Sequence, residues 1–214
     1  MKLRLILALL AGLAVAAPSV AARAEGAIPK DPKDSKDKDW VAPPTNLPRA
    51  QKGDRAKNLD LLFDALKIAP DETTSKAIED RIWALWVTTS SDTANLLMNR
   101  VKTAVDKEDL DLALRLLDAL IEIKPDYVEA WNRRATVFFM KKDYGRSLED
   151  IRQVLVREPR HFGALAGLGT ILQDIGEDAP ALDAFRRALA LHPNLKGIPE
   201  RVKTLTEKVE GRDI

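Results

Sequence analysis

Prolines stand at positions 125, 159 and 193, and the interval of 34 residues between them organises the C-terminal half of the chain. The same offset links the turn positions Asp109, Asp143 and Glu177 and the small residues Ala113, Ser147 and Ala181. It links the bulky positions Leu117, Ile151 and Phe185, then Leu120, Val154 and Ala188. Upstream it joins Leu97, Trp131 and Leu165, then Val101, Ala135 and Gly169, then Ala104, Phe138 and Leu172. A period of this length means one supersecondary unit used three times, each unable to bury its apolar face alone and therefore stacked on its neighbours. Only 5% of the chain is aromatic while Ala and Leu abound, so the unit is a pair of helices rather than strands. Ala135 or Gly169 on the first helix, and Ser147 or Ala181 on the second, let the two approach closely. Trp131, Phe138 and Ile151 fill the space between pairs.

These positions resemble the tetratricopeptide repeat family, whose pattern sets a Trp, a Leu-Gly pair, a Tyr, an Ala, a Phe and a closing Pro over 34 residues. The third copy (162–195) matches at Leu168-Gly169, Ala181, Phe185, Ala188 and Pro193. The second (128–161) has Trp131, Phe138, Asp143-Tyr144 and Pro159, with Arg134 where the family has Leu. The first (94–127) departs further, with Arg100 at that site and Val101 in place of Gly. The resemblance implies an all-α solenoid, a right-handed superhelix of antiparallel helix pairs. "IPERVKTLTEKVEG" (198–211), with Val202, Leu205 and Val209 on one stripe, suits a capping helix within 196–214.

The N-terminal part reads differently. Lys2 and Arg4, the apolar run "LILALLAGLAVAA" and Ala22-Arg23-Ala24 have the layout of a cleaved signal peptide over 1–24, and the run is too short to span a bilayer. With no cysteine there is no thiol for lipid attachment or disulfides, which suits a bacterial periplasm. Residues 25–54 hold five prolines and a Lys/Asp alternation and read as an extended linker, with Trp40-Val41 its sole sizeable apolar spot. Residues 55–93 read as a helix pair from a decayed repeat. Leu59, Leu62, Leu66 and Ala69 share one face, Pro70 stops the first helix, and Asp71 caps the second. In that second helix Trp83 and Trp86 read as core. Removing residues 1–24 takes away three basic residues and no acid, leaving a net charge of −2, with signs interleaved along the helices. Phosphate neutralisation, and hence nucleic-acid binding, has no compositional support.

The resemblance places ligands in the concave groove lined by each repeat's first helix. Its positions here are Asn95, Met98, Asn99 and Lys102 in the first copy and Glu129, Asn132, Arg133, Thr136 and Phe139 in the second. In the third they are Gly163, Ala166, Thr170 and Gln173. This neutral, amide-bearing set suits an extended peptide held through its backbone. A relative's clamp for a C-terminal carboxylate needs a defined Lys/Asn order that Met98, Asn132, Gly163 and Ala166 do not supply. His161 and His192 stand alone at repeat junctions with no helix-spaced metal partner, and no nucleophile or phosphate-loop motif occurs. The sequence therefore points to a non-enzymatic adaptor without cofactor or metal, exported to the periplasm, binding a protein or peptide in envelope maintenance. A glycan or lipid in the same groove is the alternative.

Overall fold

The computed structural model describes residues 52–211. The leader, the linker with Trp40-Val41 as far as residue 51, and the last three residues lie outside the described residues. Among those described, all regular structure is helical: α1 Lys52–Lys67, α2 Glu72–Val87, α3 Asp92–Asp106, α4 Leu110–Ile123, α5 Val128–Met140, α6 Tyr144–Arg157, α7 Phe162–Asp174, α8 Asp178–Leu191 and α9 Ile198–Val209.

The period in the sequence becomes a period in space. Asp109 and Asp143 cap α4 and α6, accepting the backbone N–H of Leu112 at 3.0 Å and of Arg146 at 3.1 Å. Glu177, one period later, makes no such bond. Just before each cap the chain turns through the left-handed region at Glu108 (φ 59°), Lys142 (φ 58°) and Gly176 (φ 85°). Within each pair the small residues allow the contact expected of them. Ser147 Oγ donates to Ala135 C=O at 2.8 Å, and a Cβ on Gly169 would sit 2.6 Å from the Phe185 ring.

Successive pairs share cores. Ala130 and Val137 of α5 pack into the cluster of Val101, Leu117 and Leu120, while Ala164 and Ile171 of α7 pack with Ala135, Ile151 and Val154. The family's Leu is replaced at Arg134, whose guanidinium bridges Asp118 of α4 at 2.7 Å and Asp150 of α6 at 2.8 Å beneath Trp131. An ion bridge thus occupies a station where the third copy uses Leu168. Helix α9 closes the far end with Ile198 and Leu205 buried against Ala181, Leu182 and Phe185, whereas Val209 is 40% exposed.

Helices α1 and α2 do not continue the stack. Their packing on α3 is slight. The pair folds back along the rim where the inter-repeat loops and the first turns of α5 and α7 emerge. Phe63, Leu66, Ile82 and Trp86 enclose Phe162 there, and Arg160 Nη1 reaches Asp60 at 2.6 Å. Tyr127, His161 and Leu195, 34 residues apart, meet the pair in turn. The Tyr127 hydroxyl donates to the Val87 carbonyl, His161 stacks on Trp86 with ring centroids 4.2 Å apart, and Leu195 packs on the shared cluster. Both tryptophans belong to this core, as their spacing implies.

Candidate functional site

Helices α5 and α7, the first helices of the second and third copies, touch each other, whereas α6 and α8 scarcely meet, so the stack curves toward the first helices. Between α5 and α7 lies a recess of about 160 Å³. Asn132, Thr136 and Phe139 form one wall, Gly163, Gly167 and Thr170 the other, and Ala135, Ile151 and Ile171 the floor. Gly167, with no side chain, leaves part of the recess open. A Cβ there would be in ordinary contact with Ile151 Cδ1 of the floor at 3.7 Å and would narrow the recess.

The polar groups around it are acceptors. Thr136 Oγ1 donates its hydrogen to Asn132 C=O at 3.0 Å and Thr170 Oγ1 to Ala166 C=O at 2.9 Å, leaving lone pairs toward the groove. Asn132 Nδ2 donates to both Glu129 oxygens at 3.3 Å, which turns its Oδ1 outward as a further acceptor. A ligand for this recess brings N–H donors around an apolar group. Phe139, stacked on Tyr144 at 5.8 Å between centroids, supplies the apolar side.

Five of the expected groove residues, Asn132, Thr136, Phe139, Gly163 and Thr170, therefore meet in one place. Two expected positions do not face the groove. Met98 is 8% exposed, because its flexible apolar chain folds into the core of its own pair beside Val101 and Leu117. Glu129 is fully buried, because the rim helices cover it and His161 Nε2 lies 2.8 Å from its Oε1. His161 Nδ1 accepts the Ala164 N–H at 3.0 Å, so the ring hydrogen sits on Nε2 and is given to Glu129. Asn95 is occupied locally, donating to the Thr89 carbonyl at 3.0 Å and fixing the entry to α3. Asn99 and Lys102 are exposed on α3 away from the recess, Lys102 paired with Asp106 at 3.0 Å. Arg133 is exposed with its Nε 3.6 Å from Glu129, and Gln173 accepts from Arg201 of α9 at 2.7 Å. Gly167 keeps part of the recess open yet carries no chemical signal in the sequence; only its position, one turn before Ile171 on the same helix, could have pointed to it.

Both histidines sit at repeat junctions but inside the molecule, each against a carboxylate: His161 against Glu129, and His192 against Glu79 at 3.3 Å. Among the described residues no group of three His, Cys, Asp or Glu side chains is placed to hold a metal, and no helix is long and apolar enough to cross a membrane.

A family model described as tetratricopeptide repeat matches residues 98–155 and again 141–195. A TPR repeat-containing protein of Rhizobium etli is 41% identical over 155 residues, spanning 72% of this chain and 76% of the relative. The chain belongs to the tetratricopeptide repeat family. Solved structures agree on the fold. The first such domain of Spaghetti (RPAP3), bound to an HSP90 peptide, superposes with a TM-score of 0.53 at 16% identity, covering 57% of this chain and 97% of that one. The Sgt2 repeat domain from Aspergillus fumigatus gives 0.52 at 18% identity, covering 56% and 81%. This tetratricopeptide repeat protein differs from a plain stack in carrying α1 and α2 on its rim, where they bury Glu129 and leave the α5–α7 recess open.

Proposed function

We propose that this chain is a non-enzymatic adaptor that holds an extended segment of a partner protein in the groove between α5 and α7. The observation that carries this reading is the recess itself, apolar in its floor and ringed by the acceptors of Asn132, Thr136 and Thr170. An extended peptide offers backbone N–H groups of the right kind on either side of an apolar side chain. A carboxylate would meet acceptors rather than donors. The RPAP3 domain holds the acidic peptide SRMEEVD; the groove here fits an uncharged segment better. The leader-like N-terminus and the lack of cysteine support the bacterial periplasm as its compartment, and we assign the partner to the upkeep of the cell envelope.

The test is in-cell crosslinking of the chain with mass spectrometry, comparing wild type with Gly167→Leu and Thr136→Arg, and fractionation of the same cells. One envelope protein crosslinked by wild type and lost from both variants is expected. A partner that survives both substitutions overturns the groove assignment, and recovery of the chain with the cytoplasm overturns the compartment.

A further inference from the structure

The repeat stack is closed at one end and open at the other. At the closed end α9 covers the third pair and turns Glu200, Lys203 and Glu207 outward. At the open end no described helix plays that part, since α1 and α2 lie on the rim. The station filled by Ala130 (0% exposed) and Ala164 (1%) against the preceding pair is Leu96 in the first copy, and Leu96 is 54% exposed.

Helix α4 adds to the same face. Its Asp118 and Asp111 reach toward α5 and Lys141, so that side of α4 faces the second copy. Leu112, Leu116, Ala119 and Ile123 follow one another at helical spacing on the other side. Leu112 is 36% and Ile123 58% exposed. At the same four stations α6 carries Arg146, Asp150, Gln153 and Arg157. The second copy is polar along this stripe, where it meets the first; in the first copy, which no described helix pair precedes in the stack, the stripe is apolar.

We propose that this face, Leu96 with Leu112, Leu116 and Ile123, is a two-fold interface with a second copy of the chain. It is continuous with the surface by which each copy receives its neighbour, so it has the shape for another helix pair. Head-to-tail stacking would set it against the charged outer side of α9; only the same face of a second copy matches it, and such an isologous contact closes at two. With the two α4 helices antiparallel, Leu112 stands opposite Ile123 of the second copy and Leu116 opposite Ala119, large against large and large against small. The same register brings Arg115 within a turn of Glu122 of the second copy. Both are exposed, and among the described residues neither is within ion-pair distance of an opposite charge, Arg115 acting on Asp111 only at longer range.

Sedimentation equilibrium of the full chain tests this, with circular dichroism to check folding. The wild type is expected near twice its monomer mass. Leu112→Glu/Ile123→Glu, both at exposed positions, should raise the dissociation constant at least about tenfold with the helical signal kept, since desolvated apolar anchors carry most of an interface's energy. Arg115→Glu should weaken the dimer, and Arg115→Glu/Glu122→Arg should restore it. A monomeric wild type overturns the proposal, as does a dimer indifferent to Leu112→Glu/Ile123→Glu. A dimer lost in Arg115→Glu and not regained by the exchange overturns the antiparallel register.

Discussion

Single residues show how three copies of one plan solve the same packing problem differently. The station held by Arg134 and Asp150 in the second copy is held by Leu168 and Ala184 in the third. Arg134 is half-buried and Asp150 nearly fully so, and each needs the other: the ion pair holds the arginine protonated still more firmly than usual. Arg134→Leu leaves Asp150 buried without its partner and is expected to cost about 3 kcal/mol. Arg134→Leu/Asp150→Ala installs the third copy's solution and should regain most of that loss. Urea denaturation of the two variants decides the matter: equal destabilisation would mean that the bridge is not what costs. The turn before α6 offers a gain instead. Lys142 takes the left-handed conformation that Gly176 takes one period later, so Lys142→Gly should stabilise the chain by about 0.5 kcal/mol, relief of strain exceeding the added chain entropy. A lower urea midpoint for that variant would contradict it.

At the scale of elements, the sequence is readable where contacts are local and repeated. Proline spacing, the small residues at 135, 147, 169 and 181, and the aspartate caps all act within a pair or between adjacent pairs, so each copy reports on the others. The recess was partly legible for the same reason: Asn132, Thr136, Phe139 and Thr170 follow from counting along first helices. What counting misses is any contact without a period. Helices α1 and α2 land on residues 40 to more than 100 positions away, as in Tyr127 on Val87 and Arg160 on Asp60. Nothing local in "AIEDRIWALW" states where its tryptophans dock, and counting along α5 places Glu129 in the groove although that docking buries it. The docking also has a chemical handle. Burial pushes the Tyr127 phenol up to about 12, with the Glu129 charge adding to it. The raised value means that the neutral phenol stabilises the docked state fully below its unfolded value, near pH 10, and that this is lost as pH rises through about 12. Between those limits the emission of Trp83 and Trp86 is expected to shift to the red as the rim pair loosens, and Tyr127→Phe should abolish that step. An alkaline transition unchanged in Tyr127→Phe would assign it to another group.

For the whole molecule, the rim pair changes the kind of object the stack is. A plain solenoid is held by nearest-neighbour contacts, so its units can unfold piecemeal from the ends. Here α1 and α2 connect the beginning of the described chain to the start of α5 through Tyr127, to the start of α7 through His161 and Phe162, and to the turn before α9 through His192 and Asn194. Frayed ends are thereby tied to the middle, and the recess between α5 and α7 is bordered by an element that resists their separation, with Trp83 against Gly163. Such a strap makes unfolding cooperative. The wild type should therefore lose helix in one transition, with amides of α3 and α8 exchanging no faster than those of α5. Trp86→Ala removes the ring on which His161 stacks and should cost about 3 kcal/mol. Its sharper consequence is a change of order: α1 and α2 should exchange first, and the end pairs before the middle one, as in an unstrapped stack. Hydrogen exchange read by mass spectrometry follows each helix separately. End-first exchange already present in the wild type would show that the rim pair rests on the stack without tying it.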